Sequence, residues 1–163
     1  MAELDLDPFT DVIDGPMYVV TAAADDEQAG CLVGFASQCS IHPARYMVWL
    51  STANHTFGVA RRATHLTVHV LRREQRELAR WFGSETGDHV DKFERVDWRR
   101  SAAGSPVLTE ACAWFVGRIE ERVPGGDHVG FLLAPAEQSP PVQGTPALLR
   151  FSDVKDFEPG HPA

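Results

Sequence analysis

The sequence predicts a mainly β protein with short helices, folded as an antiparallel barrel. Three observations carry that expectation. About six or seven short stretches are rich in β-branched and aromatic residues. Gly, Pro, Asn and Asp punctuate them at close intervals. The helical stretches between them are brief, and this spacing favours a closed antiparallel barrel over a βαβ sheet.

Residues 1–15 read as a polar lead-in with a short helix near Phe9–Ile13. Met17–Ala24 reads as a strand, Asp25-Asp26-Glu27-Gln28 as a turn, and Ala29–Ala36 as the returning strand. A loop over Ser37–Pro43 then leads to the strand Tyr46–Ser51. Asn54 opens a helix running to Ala63, with Asn54 or Thr52 as its cap. His65–Leu71 alternates and is β-branched, so it is expected as a strand. In Glu74–Phe82, the positions Leu78, Trp81 and Phe82 fall at helical spacing, and Val90–Phe93 suits another short helix. After the turn Gly104-Ser105-Pro106, the segment Leu108–Val123 reads as one long strand. The turn Pro124-Gly125-Gly126-Asp127 leads to the strand His128–Ala136. A Pro-rich loop comes next over Gln138–Gly144, then a last short strand at Ala147–Phe151 and a tail, Glu158–Ala163, expected to fray. There is no internal repeat and no linker, so residues 1–163 are expected to form a single domain.

Composition narrows the partners. A formal net charge of −8, with no Lys/Arg run longer than two, repels polyanions, so nucleic acid and acidic membrane surfaces are not expected. A small anionic cofactor stays compatible, because a local nest of backbone N–H groups outweighs a distant field. Cys31, Cys39 and Cys112 form no CxxC pair and no closed disulfide set. The acidic beginning lacks the basic start and apolar core of a signal peptide, and no run approaches the ~18 apolar residues of a membrane span. The expected location is cytoplasmic. His65 and His69 resemble a metal pair only on a helix; on a strand they stand about 13 Å apart, and no metal site is expected.

The chemistry concentrates in one stretch. Gly30–Pro43 begins as a strand and turns into Ser37, Gln38, Cys39 and Ser40. A second strand then ends in Ser51-Thr52-Ala53-Asn54-His55-Thr56, which reads as a capped helix start. Small polar residues beside a helix N-terminus can hold a flat heteroaromatic ring and its phosphate. Ser51 adds a hydroxyl, and Arg61 or Arg62 adds a cation, although helix spacing lets only one of the two face inward. Neither a Ser-His-Asp set nor a carboxylate pair stands out. Cys39 has no evident base, and no G-x-G-x-x-G fingerprint is present.

With those residues in view, residues 15–151 resemble the flavin reductase family with the FMN-binding split-barrel fold. Family text of the form G-V-T-V-N-S-F-T-S-V-S-L-D-P is matched at Gly30, Val33, Ser40 and Pro43, with Ser37 in place of Thr. Further matches are His69-Val70-Leu71, Gln75 with Leu78-Ala79, Asp91-Lys92-Phe93, Gly104-Ser105-Pro106-Val107-Leu108 and Gly126-Asp127-His128. The chain departs from the family at Gly34, Gln38, His42, His69 and Arg150. The resemblance implies an antiparallel Greek-key split β-barrel that transfers hydride from NADH or NADPH to FMN or FAD. It also implies a homodimer that supplies reduced flavin to a partner monooxygenase. Ser37, Gln38, Cys39 and Ser40 would meet the ring edge, and Ser51, Asn54, His55, Thr56 and Arg61 the phosphate. His128 would lie near the nicotinamide as the active-site polar residue. Lys92 and Phe93 join the candidate cofactor set through the D-K-F match, although a structural or interfacial role is the reading favoured for them. Two other readings stay open: a non-enzymatic flavin-binding or redox-sensing module, and a split-barrel oxidoreductase using a deazaflavin or haem.

Overall fold

Seven strands form one continuous antiparallel sheet in the computed structural model, which describes residues 3–84 and 91–157. They are β1 (Tyr18–Ala24), β2 (Glu27–Val33), β3 (Ala36–Ile41), β4 (Ala44–Ser51), β5 (His65–Val70), β8 (Ala113–Pro124) and β9 (His128–Gln138). The strands β6 (Trp98–Arg100) and β7 (Pro106–Leu108) make a separate ribbon. The order across the large sheet is β2-β1-β5-β8-β9-β4-β3. The ladder therefore ends at β2 and β3, and the barrel is split rather than closed as strand spacing alone suggested. Among the described residues four helices accompany it: α1 (Asp7–Thr10), α2 (His55–Ala60), α3 (Arg76–Ser84) and α4 (Phe151–Val154), with a 3-10 turn at Lys92–Arg95. None of the described helices is long and apolar enough to cross a membrane.

Local chemistry explains the joints. Asp25 and Asp26 have φ of 51° and 65°, the pair of left-handed residues that a two-residue hairpin turn requires. Glu27 and Gln28 therefore already belong to β2. Asn54 caps α2: its Oδ1 accepts the Thr56 N–H at 2.9 Å. The helix ends at Ala60, earlier than the expected Ala63.

β1 is buried on both sides, which is why its sequence is apolar almost throughout. Tyr18, Val20 and Ala22 face the barrel interior with Cys31, Val33, Val48, Leu50, Leu66, Val68, Phe131 and Leu133, and Val59 and Ala60 of α2 close that core. Met17 and Val19 face a second core made with Leu71, Ala79, Phe82, Phe93, Leu108, Leu149 and Val154. Each large apolar side chain contributes about 1.5–3 kcal/mol on burial, so the two layers together fix β1 as the centre of the fold.

Several expected boundaries move. The long strand Leu108–Val123 breaks into β7 and β8, because the chain must leave the β6–β7 ribbon and turn at exposed Thr109 and Glu110 before joining the sheet. β6 was hidden by its charged Arg99-Arg100. The last expected strand, Ala147–Phe151, makes only isolated bridges, Arg72 to Leu148 and Pro16 to Arg150, and Phe151 already begins α4. The N-terminal helix covers Asp7–Thr10 instead of Phe9–Ile13. Of the expected helix Val90–Phe93, Val90 lies outside the described residues, as does the tail Glu158–Ala163.

Candidate functional site

The last residue of β4, Ser51, stands directly across from the first residue of β9, His128. That register brings together two segments far apart in the chain. The connection is pinned from both sides: Thr52 donates its backbone N–H at 2.9 Å and its hydroxyl at 3.2 Å to the Asp127 carbonyl. Ser51 then starts a tight turn, its carbonyl accepting the Asn54 N–H at 3.0 Å and its Oγ the Ala53 N–H at 3.2 Å. His128 is held in turn by Asp127, whose Oδ1 lies 2.7 Å from Nδ1. With Nδ1 so engaged, Nε2 is the nitrogen left for a ligand.

Strand alternation extends the site sideways. Met47, Trp49 and Ser51 share the outer face of β4, and their cross-strand partners on β9 are Leu132, Gly130 and His128. On the other side, Ser37 pairs with Met47, and Phe35 stands next to Trp49, its carbonyl accepting the Trp49 N–H at 2.9 Å. Phe35 is 59% exposed, and its ring meets that of His128 at 5.0 Å. The Trp49 indole lies flat where side chains are missing: a Cβ on Gly125 or Gly130 would come within 2.6 or 2.8 Å of its ring. The outcome is an aromatic shelf of Phe35, Trp49 and His128, rimmed by Ser37, Ser51 and Thr52.

Ser37, Gln38, Cys39 and Ser40 lie on β3, not in a loop, with Ser37, opposite Met47, nearest the shelf and Ser40, opposite Arg45, farther along. The expected loop is an edge strand because its residues are solvent-facing and polar, a pattern that hides a strand's alternation. A bulge between Gln38 and Ser40 breaks it further. As the last strand of the ladder, β3 turns alternate N–H and C=O groups away from β4, toward whatever lies beside it. Cys39 is exposed, and the Gln38 amide folds back to donate to the Ser40 carbonyl at 3.0 Å.

The helix start differs from expectation. The N–H groups of Asn54 and Thr56 are already bonded within the turn, so they are not the open anion cradle that the sequence suggested. Thr56 is buried and faces inward, on the side of the Cys31 thiol. Burial raises the pKa of that thiol above its ordinary value and outweighs the opposing effect of the Thr56 hydroxyl. His55 does lie at the surface, with Nε2 2.9 Å from Oε2 of Glu27. Glu27 also binds Arg62, which Asp25 holds as well, at 2.7 Å each.

Comparison with known proteins decides the family. The model of the flavin reductase like domain matches residues 11–149, most of the chain. The chain belongs to this family. Among similar proteins, the reductase subunit HsaB of a flavin-dependent monooxygenase from Mycobacterium tuberculosis (strain ATCC 25618 / H37Rv) is 27% identical over 86% of this chain and 75% of its own length. The NADH-dependent FMN reductase AsuE2 of Streptomyces nodosus subsp. asukaensis is 33% identical over 70% of this chain and 62% of its own. The solved structure of the NADH:FAD oxidoreductase SgcE6 of Streptomyces globisporus C-1027 shares the fold, with a TM-score of 0.77 at 23% identity, covering 91% of this chain and 93% of that one. The chain spans 36% and 48% of the length of two curated relatives it matches, both from Rhizobium meliloti (strain 1021).

Within this flavin reductase fold, three residues predicted for the cofactor set sit elsewhere. Lys92 is buried, and its ammonium donates to the carbonyls of Gly30 at 3.1 Å and Phe82 at 3.0 Å. Phe93 is buried between Phe82 and Trp98, with ring centroids 5.9 and 5.4 Å away. Lys92 fastens α3 and the 3-10 turn to β2, and Phe93 packs that turn against α3 and β6, which is the structural reading of the D-K-F element. Arg61 is exposed at the C-terminal end of α2, about 10 Å along the axis from Asn54. Arg62 is exposed too, so neither arginine faces inward. Sequence reasoning missed Phe35, Trp49 and Glu27. Phe35 carried a usable signal, a large aromatic beside Gly34 at the strand junction; Glu27 carried none.

Proposed function

We propose that the chain is an NAD(P)H-dependent flavin reductase that uses FMN or FAD, works as a homodimer and passes reduced flavin to a partner monooxygenase. The observation that carries this reading is the aromatic shelf formed by Phe35, Trp49 and His128 beside the β3 edge. Phe35 is exposed and its ring is tilted by 46° against that of His128, so the two make an aromatic surface beside the hydrogen-bonding edge of β3, a combination suited to a planar heteroaromatic ring. The family match and the named activities of AsuE2 and HsaB support the same reading.

The cofactors supply the chemistry, hydride transfer from the nicotinamide C4 to the flavin N5. The chain contributes orientation. Ser37 and the backbone of Gln38, Cys39 and Ser40 hold the polar edge of the ring, and Phe35 and Trp49 carry its face. The His55 imidazole, at the surface beside Glu27, receives the phosphate and replaces the helix amides as the anchor. Glu27 keeps the His55 ring oriented. His128 points Nε2 over the shelf toward the second ring, fixed by Asp127. A subunit pair suits a shelf this exposed, because a second copy would exclude water from the reacting rings.

The test is a four-way assay under air, pairing NADH or NADPH with FMN or FAD and following nicotinamide absorbance. Turnover with at least one pair is expected; none with any pair rejects the reading. For the anchor, His55→Ala is expected to weaken FMN about fivefold more than riboflavin, the scale of one charge-assisted contact near the surface. Equal losses for the two ligands in a titration would contradict the phosphate assignment.

A further inference from the structure

The opposite mouth of the barrel holds a second cavity, of about 380 Å³, within the range of small-ligand pockets. Its walls include Tyr18, Tyr46, Val70, Trp114 and Phe115, and its lip is the Pro-rich segment 138–142. We propose that this mouth binds a small, neutral aromatic molecule carrying a carbonyl oxygen, at a site separate from the aromatic shelf.

The polar argument comes from two phenols. Tyr18 is only 7% exposed, and its hydroxyl lies 2.7 Å from that of Tyr46. Whichever phenol donates, the pair retains one O–H hydrogen that has no acceptor among the described residues. A buried donor without an acceptor calls for one. Burial and the neighbouring phenol push the Tyr46 ionisation far above the ordinary tyrosine value, so the pair stays a donor.

The apolar argument is rigidity. Tyr46 meets Tyr18 edge-on at 6.1 Å and Phe115 at 5.4 Å, an arrangement that fixes the walls. Arg99 sits 5.1 Å over the Trp114 ring. Ser139 clips the lip to β8: its N–H donates to the Trp114 carbonyl at 2.9 Å, and its Oγ accepts the Trp114 N–H at 3.0 Å. The rings of Pro140 and Pro141 stiffen the rest of the lip. Among the described residues no charged side chain lines the cavity, so an anionic flavin or nicotinamide nucleotide would lose hydration there without repayment. Along β4 the cavity wall Tyr46 stands five residues from Ser51, about 17 Å.

The site does not depend on the flavin reading, and the experiment keeps the two apart. The full chain is titrated with acetophenone and with ethylbenzene, its counterpart lacking the carbonyl, while amide and indole NMR signals are followed. Acetophenone is expected to shift the signals of Trp114, Phe115 and Ser139 and to leave those of Thr52 and His128 unmoved. The double variant Tyr18→Phe/Tyr46→Phe is expected to bind acetophenone about tenfold more weakly and ethylbenzene unchanged, since only the ketone uses the donor. Saturating FMN is expected to leave the acetophenone affinity as it was. Absence of shifts at Trp114 and Ser139 overturns the proposal, as does equal weakening of both ligands or displacement of acetophenone by FMN. The mapping on the unaltered protein decides the matter even if the double variant fails to fold.

Discussion

Lowering the pH from 7.5 to 4 is expected to remove about 3 kcal/mol of folding stability through a single side chain, His69. This imidazole is wholly buried in the wall between β1, β5 and β7. Its Nδ1 lies 2.8 Å from the Val19 carbonyl and therefore carries the proton, while Nε2 accepts the Leu108 N–H at 2.9 Å. The neutral ring is thus matched on both sides, and a second proton would face the Leu108 N–H with no acceptor. Burial dominates the hydrogen bond to Val19 and lowers the pKa from 6.5 to about 4. The sign comes from proton counting. The unfolded chain binds the proton first, so the full stability is present above about pH 6.5, declines as the pH falls and levels off near the folded value. A shift of that size at about 1.36 kcal/mol per unit gives the figure of about 3 kcal/mol. The surface carboxylates Asp14, Glu120 and Asp156, whose pKa values are also lowered, begin to add their own losses only below about pH 5, at the acid end of this window. Urea unfolding at a series of pH values between 7.5 and about 4.5 measures the slope. His69→Leu is expected to flatten it and to cost about 2–4 kcal/mol at pH 7.5, because the Val19 carbonyl and the Leu108 N–H lose their partner. The same slope in variant and wild type would place the acid sensitivity elsewhere.

His69 also shows where sequence reading stops. Its strand was legible, because His65–Val70 alternates and is β-branched. Its role was not, because the partners on β1 and β7 are set by tertiary register. The same division runs through the candidate site. Most strands, the helix α2 and the Asn54 cap arise from local patterns that need no distant contact. Ser37–Ser40 was legible as a polar segment of interest but misread as a loop, since an exposed, bulged edge strand has little hydrophobic alternation to detect. Lys92 was misplaced for the opposite reason. A charged residue is expected at the surface, yet two carbonyls satisfy this ammonium inside the protein. The pairing of Ser51 with His128, which builds the shelf, is a fact of sheet order alone.

That pairing makes His128 the most informative position for function. Replacing it with Ala is expected to raise the KM for the nicotinamide about tenfold while leaving the flavin Kd within about twofold. A tenfold change is about 1.4 kcal/mol, the scale of one hydrogen bond from Nε2 to a bound ligand. The ring also packs on Phe35 at 5.0 Å, so Ala removes support for the shelf as well as a polar atom. His128→Phe separates the two contributions, since it keeps an aromatic ring beside Phe35 but has no nitrogen. If the nitrogen matters, the Phe variant retains the raised KM. If only the platform matters, Phe restores the wild-type value. Asp127→Asn is expected to fall between, because an amide oxygen still accepts from Nδ1, and the Asp127 carbonyl that binds Thr52 belongs to the backbone and is untouched. Equal weakening of flavin and nicotinamide in His128→Ala would assign the residue to holding the β4–β9 junction, and the shelf would then have to accept the second ring without it.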